Sequence, residues 1–241
     1  MKLGRRIVKI SKRMREFSPR LDILPAPQRK LWTELSGVPS EFVLYGGTAL
    51  ALHLGHRNSV DFDFFSNRTF DPAALPSRVP FLQGARTIQS EKNTLSAIVE
   101  RDGRVKVSFF GVPALRRLAR PHVAADNGLK IASLIDLAGT KASVVQMRAE
   151  AKDYLDIDAL LRVGKVDLPT ALAAAQKLYG SSYNPELTLK ALSYFDDGDL
   201  STLPAKTQDR LAAAAREVDL ENLPNIDHVL SASHPDHGHG L

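Results

Sequence analysis

FVLYGGTALALHLGHRNSVDFDFFS, residues 42–66, is the stretch on which the reading of the fold turns. An apolar run over 41–45 reads as a strand that stops at Gly46-Gly47. Residues 48–54 carry helical apolar spacing, and Gly55 suits the position just past a helix end. Residues 59–65 then alternate, with Val60, Phe62 and Phe64 on one face and Ser59, Asp61, Asp63 and Phe65 on the other. Period two sets Asp61 and Asp63 side by side on one strand face. Two carboxylates that close repel each other, and a cation between them relieves the repulsion. One or two carboxylates completed by water and phosphate oxygens is how proteins hold Mg²⁺ beside a nucleotide. Gly46 and Gly47 let backbone come close to a ligand, and the free N–H groups where the helix begins at Thr48 suit phosphate oxygens. Arg57 and Ser59, just before the aspartates, are within reach of the same phosphates. One strand–helix–strand unit thus carries a candidate metal pair and a phosphate cradle.

Outward from this unit, 27–35 reads as a short helix whose Trp32 fills a core. A proline-rich connection with one helix covers 71–85. Residues 94–100 and 104–110 form a hairpin closed by Asp102-Gly103, a type I′ turn signal. From Ser133 the pattern is helical: 134–148, 151–162, 168–179, 185–195 with Asn184 as cap and Pro185 in the first turn, and 205–218. The organisation expected is a basic arm (1–20), an α/β core (21–125), a helical domain (126–224) and a flexible polar tail (225–241). His234, His237 and His239 in that tail have spacing open to a transition metal, and equally to a frayed terminus.

Composition narrows the chemistry. The 241 residues are 44% hydrophobic and 24% charged, the balance of a globular chain. The absence of cysteine excludes disulfides, thiolate metal sites and a cysteine nucleophile. No run approaches the ~20 apolar residues of a membrane span, and the start lacks a secretory apolar segment, so a cytoplasmic protein is expected. Residues 1–20 hold eight basic side chains against one acid, a formal +7 within a chain total of +5, which leaves the other 221 residues at −2. Such an arm favours a polyanion such as RNA, or serves only as a solvated extension.

A second block, DLAGTKASVVQMRAEAKDYLDIDALL at 136–161, carries further charge. Lys141, Arg148 and Lys152 are spaced by seven and then four, so one continuous helix would align them as a clamp for triphosphate oxygens. Asp153 and Asp156, three apart, could orient a lysine or act as general base toward an attacking hydroxyl. Taken alone, the block also fits a solvated helix with ordinary ion pairs.

Together the two blocks resemble the AbiEii/AbiGii toxin family of bacterial nucleotidyltransferases, within the polymerase-beta-like superfamily. The resemblance implies an α/β (α+β) polymerase-beta-like core followed by a C-terminal helical domain, with the active site between them. It implies Mg²⁺-dependent transfer of a nucleoside monophosphate from an NTP to an acceptor hydroxyl, with RNA such as tRNA as acceptor. The setting it implies is a toxin–antitoxin or phage-defence system with a cognate antitoxin. On that match Asp61 and Asp63 hold the metal, and Gly46, Gly47, Thr48, Lys141, Arg148 and Lys152 bind phosphates. Asp156 or Asp153 is then the base. One departure stands out: superfamily enzymes place a third carboxylate on a later strand, and here that place falls to Ser108. A non-catalytic nucleotide- or RNA-binding module would account for Ser108. A metal-dependent glycosyltransferase also uses Asp-x-Asp, but the short strand–Gly-Gly–helix–strand unit speaks against it.

Overall fold

The computed structural model describes residues 16–232; the basic arm up to residue 15 and the histidines 234, 237 and 239 lie outside the described residues. In chain order the elements are β1 (Glu16–Phe17), α1 (Ala26–Trp32), β2 (Val43–Tyr45), α2 (Gly46–Leu54), β3 (Asp61–Ser66) and α3 (Leu75–Arg78). Strands β4 (Arg86–Glu91), β5 (Thr94–Glu100), β6 (Arg104–Gly111), β7 (His122–Ala124) and β8 (Lys130–Ile131) follow. Helices complete the chain: α4 (Leu134–Val144), α5 (Ala151–Arg162), α6 (Leu168–Tyr179), α7 (Pro185–Ala191), α8 (Ala205–Arg216) and α9 (Ile226–Ala232). Among the described residues the strands make one mixed sheet, ordered β1-β7-β8-β2-β3-β6-β5-β4. No described helix is long and apolar enough to cross a membrane.

The alternation in β3 does what its pattern requires. Phe62 and Phe64 are fully buried and stack towards Phe109, whose ring centre lies 5.1 Å from that of Phe64, while Asp61, Asp63 and Phe65 take the opposite face. Trp32 is buried as expected, its indole N–H donating to Asp126 at 2.7 Å. Gly55 closes α2 at φ 63°, and Asn184 caps α7 by accepting from the Glu186 N–H at 2.9 Å.

Several elements depart from the expectation. The helix expected over 134–148 ends at Val144, and α5 starts afresh at Ala151, whose N–H donates to the Asp199 carboxylate at 2.6 Å. Only the end of the first helix differs: α5 keeps the bounds expected for it, and the Asp199 carboxylate caps its start. The β5–β6 hairpin pairs Glu100 with Arg104, so its loop has three residues, with Asp102 at φ 57°, in place of a two-residue turn. The stretch expected as a tail from 225 begins with α9, where Ile226 is buried against Ala173 and Ala174 of α6. Strands β1, β4, β7 and β8 have no strong sequence signal, being short or, in β4, exposed throughout.

His53 of α2 is enclosed by Phe17, with ring centres 4.4 Å apart, and by His122 at 5.1 Å. Its Nε2 meets the Ala132 carbonyl at 2.9 Å, which calls for the tautomer protonated there. Burial pushes its pKa down to about 4, assisted by His122 and opposed by the Ala132 hydrogen bond. The unfolded chain takes up this proton near pH 6.5 and the folded chain does not. Stability is therefore present above pH 6.5 and drains as pH falls towards 4, by on the order of 3 kcal/mol. A His53→Gln variant should show a smaller drop in melting temperature between pH 7 and 4.5 than the wild type; equal drops would clear His53 of the effect.

Candidate active site

The site forms because β2 runs into α2 with no intervening loop. Gly46 sits at φ 74°, and a Cβ there would stand 3.1 Å from Oδ2 of Asp63. A Cβ on Gly47 would collide with the Arg57 guanidinium at 2.4 Å. Both glycines are therefore required by close approach to charged side chains. Tyr45 pairs across β2–β3 with Asp63, so the carboxylate lies directly beside the turn that starts the helix.

Around this turn lies a cavity of about 600 Å³. Of the residues singled out in the sequence, Gly46, Gly47, Arg57, Ser59, Asp61, Asp63, Lys141, Arg148, Lys152 and Asp153 line it. Thr48 and Asp156 do not. The Thr48 side chain is buried, and its hydroxyl bonds to Ser59 Oγ at 2.9 Å and to the Asp61 carbonyl, which ties α2 to the start of β3. Asp156 is fully buried behind the wall. Its carboxylate accepts a bidentate pair from Arg57 at 2.7 and 2.9 Å, meets His56 Nε2 at 2.7 Å and pairs with Lys141 at 2.7 Å. Burial alone would raise its pKa, but the His56 and Arg57 hydrogen bonds and the Lys141 charge outweigh it and hold the group far below the usual carboxylate range.

Asp153 is the second buried anion. Lys141 reaches it at 2.6 Å and Arg148 at 2.8 Å, and these cations overcome burial to keep it below its ordinary value. Lys141 is thus pinned between two aspartates with 7% of its side chain exposed. Arg148 and Lys152 are about half-exposed and meet Glu150 at 3.4 and 2.6 Å. The helix expected to align the three cations is broken, yet the α4–α5 connection folds back so that all three face the cavity. Arg148 belongs to the bend and Lys152 to the first turn of α5.

Asp63 behaves oppositely. Burial and the neighbouring Asp61 push its carboxyl up, against the opposing pull of Lys106, a Ser108 hydrogen bond and Lys141. An anion raised by desolvation and by a like charge is one that a cation would relieve. Among the described residues no three or more His, Asp or Glu side chains cluster to hold a metal by themselves. Two hard carboxylate ligands open to a polar cavity suit an ion that keeps water and phosphate in its shell, as Mg²⁺ does.

Strand β6 lies parallel to β3 with Asp61 opposite Lys106 and Asp63 opposite Ser108. Ser108 is buried, 3.2 Å from the Ser96 hydroxyl of β5. Lys106 also lines the cavity, where its charge pulls the Asp63 carboxyl down. The sequence reading missed it, as it did the aromatic wall of Phe65 and Phe110, whose ring centres lie 4.9 Å apart. Alternation along 104–110 already grouped Lys106, Ser108 and Phe110; only the β3–β6 register, invisible in sequence, brings them to the aspartates.

Paired acids on one wall thus face cations across a glycine turn between strand and helix, and solved structures share the fold that brings them together. A proposed nucleotidyltransferase from H. pylori superposes with a TM-score of 0.51 at 20% identity, covering 78% of this chain and 90% of its own. The nucleotidyltransferase toxin MenT4 of Mycobacterium tuberculosis H37Rv superposes with a TM-score of 0.56 at 18% identity, covering 80% and 83%. An uncharacterised protein of Aquifex aeolicus is 34% identical over 163 residues, which are 67% of this chain and 77% of that protein. The chain belongs to the family of AbiEii nucleotidyltransferase toxins of type IV toxin–antitoxin systems, whose family model matches residues 30–232. Membership implies an NTP substrate and a cognate antitoxin.

Proposed function

We propose that this nucleotidyltransferase moves a nucleoside monophosphate from an NTP to a hydroxyl of an RNA acceptor, tRNA in the first instance, with Mg²⁺ held by Asp61 and Asp63. The observation that carries the reading is the single 600 Å³ cavity in which these two acids face Arg148, Lys152 and the Gly46-Gly47 turn. When bound, Mg²⁺ supplies charge neutralisation on the phosphates and withdraws electrons from the α-phosphorus. Gly46 and Gly47 let the phosphates approach the start of α2, and Ser59 adds a hydroxyl beside them. Arg148 and Lys152 swing to the phosphate oxygens, Arg148 with a bidentate fork. Lys106, beside the two acids, adds a third cation on the sheet side. Asp153 and Asp156 are too tightly paired to accept a proton; they hold Lys141 and Arg57 in place, and Asp153 keeps Arg148 beside the cavity until phosphate draws it away. The hydroxyl attacks the α-phosphorus and its proton passes to solvent, the bond to the β-phosphate breaks and pyrophosphate leaves.

A second reading has one observation in its favour: Ser108 stands in register with Asp63, where a third carboxylate would activate the hydroxyl, and serine cannot take that proton. On that reading the site binds nucleotide without transferring it. Incubation of the protein with Mg²⁺, each α-labelled NTP and bulk tRNA separates the two. Labelled RNA from wild type and none from Asp61→Ala/Asp63→Ala is the expected result. Nucleotide binding with no label in any RNA, total cellular RNA included, would leave only the second reading.

A further inference from the structure

A second cavity, of about 520 Å³, adjoins the first, and Tyr45, Leu115, Thr140 and Tyr179 line both. Leu178, Gly180, Ser181, Ser182 and Arg116 line the second cavity alone. Its size is that of a small-ligand site. No carboxylate lines it, and Arg116 is its one cation. It therefore has neither the acids to share a metal nor the charge to hold a triphosphate. What it offers is an exposed tyrosine ring, aliphatic contact and hydroxyls, the surface on which an unpaired nucleobase stacks and hydrogen-bonds.

We propose that this second cavity binds the terminal nucleoside of the RNA acceptor. The proposal rests on the nucleotidyl-transfer reading above and adds the place of the second substrate. A transferase joins two molecules, and the donor's needs are met in the first cavity alone: paired acids, mobile cations, and its own aromatic surface at Phe65 and Phe110. The shared wall puts whatever occupies the second cavity next to the donor's phosphates, as an attacking hydroxyl must be. Arg116, exposed and without an ion pair among the described residues, stands where the penultimate phosphate of a strand leaving the cavity would pass.

The test uses the full chain and an unreactive probe, an RNA oligonucleotide with a 2′,3′-dideoxy end and 2-aminopurine as its last base. Wild type should bind it with quenching of the 2-aminopurine as the base stacks. Ala114→Trp, an exposed loop position lining only the second cavity, fills the space. It should weaken RNA binding about tenfold and abolish the quenching, while affinity for Mg²⁺ with a non-hydrolysable NTP stays within about twofold. Arg116→Glu should weaken RNA binding and lessen its salt dependence. Loss of NTP affinity in Ala114→Trp would overturn the proposal by giving the cavity to the donor's base, and unchanged RNA binding would overturn it outright. Since the probe cannot react, these results stand apart from label transfer. A wild type that labels another acceptor but does not bind RNA would sink this inference and spare the transfer chemistry.

Discussion

Asparagine in place of Asp63 should make the metal-free protein more stable and catalytically silent. The Asp63 carboxyl is held above its ordinary value by burial first and by Asp61 second. A raised folded-state pKa means that the ionised form is disfavoured in the folded chain, so the charge present at neutral pH opposes folding, and stability is lost as pH rises through that value. Asp63→Asn removes the charge while keeping the shape. For each kcal/mol so relieved, the melting temperature of a chain this size rises by about 2–4 °C. The same change halves the proposed metal site, and losing several kcal/mol of charge stabilisation on the phosphates should lower label transfer by about a thousandfold. Mg²⁺ should raise the melting temperature of the wild type by binding the folded state, and leave Asp63→Asn almost unmoved. Asp61→Asn should silence transfer equally with less gain in stability, because Asp61 lies in register with Lys106. Thermal melts with and without Mg²⁺, run beside the transfer assay, decide the matter. An Asp63→Asn protein that melts lower than wild type and still labels RNA would refute the account of the site.

How far the sequence reached depends on which forces were local. The β2–α2–β3 unit could be read because each of its signals lies within a few residues: the alternation, the two glycines, the helix stop at Gly55. The same holds for Asn184 before Pro185. The helix expected over 134–148 overran its true end at Val144 by four residues, because no glycine or proline in 145–148 marks a stop. The start of the next helix at Ala151 was read correctly although its cap, Asp199, lies almost fifty residues away. Lys106 and Ser108 were placed on one face by alternation. That this face is the one bearing the aspartates follows from the β3–β6 register, a pairing between segments some forty residues apart. The roles of Asp153 and Asp156 were blurred for the same reason. Sequence shows two acids three apart on a helix, but the partners that separate them, Arg57 and His56 from the end of α2, lie about a hundred residues upstream. Tertiary partners, more than helix spacing, decide what a charged side chain is able to do.

That buried pairing carries the other large expected effect. Asp156→Ala should destabilise the protein by roughly 3–5 kcal/mol, the usual consequence of removing one partner from a buried ion pair. The carboxylate is fully buried and satisfies three partners at once: Arg57 from the loop before β3, His56 beside it, and Lys141 from α4. Without it the Arg57 side chain, 18% exposed, and Lys141, 7% exposed, confront each other with Asp153 as the remaining anion. Among the described residues Nδ1 of His56 has no partner, so that ring would lose its one polar contact there. Asp153→Ala should cost less, because Arg148 is 46% exposed and can turn to water, though Lys141 loses one of its two anions. Urea unfolding at neutral pH measures both, and a loss below about 1 kcal/mol for Asp156→Ala would show that the cluster has found other partners. Function separates them differently. Asp156 fastens the loop carrying Arg57, whose guanidinium lies against Gly47, to the helix bearing Lys141. Loosening that fastening should raise the KM for NTP along with lowering kcat. At a temperature where Asp156→Ala remains folded, a lowered kcat with an unchanged KM would mean that the carboxylate acts on the reacting groups and not on the width of the cavity.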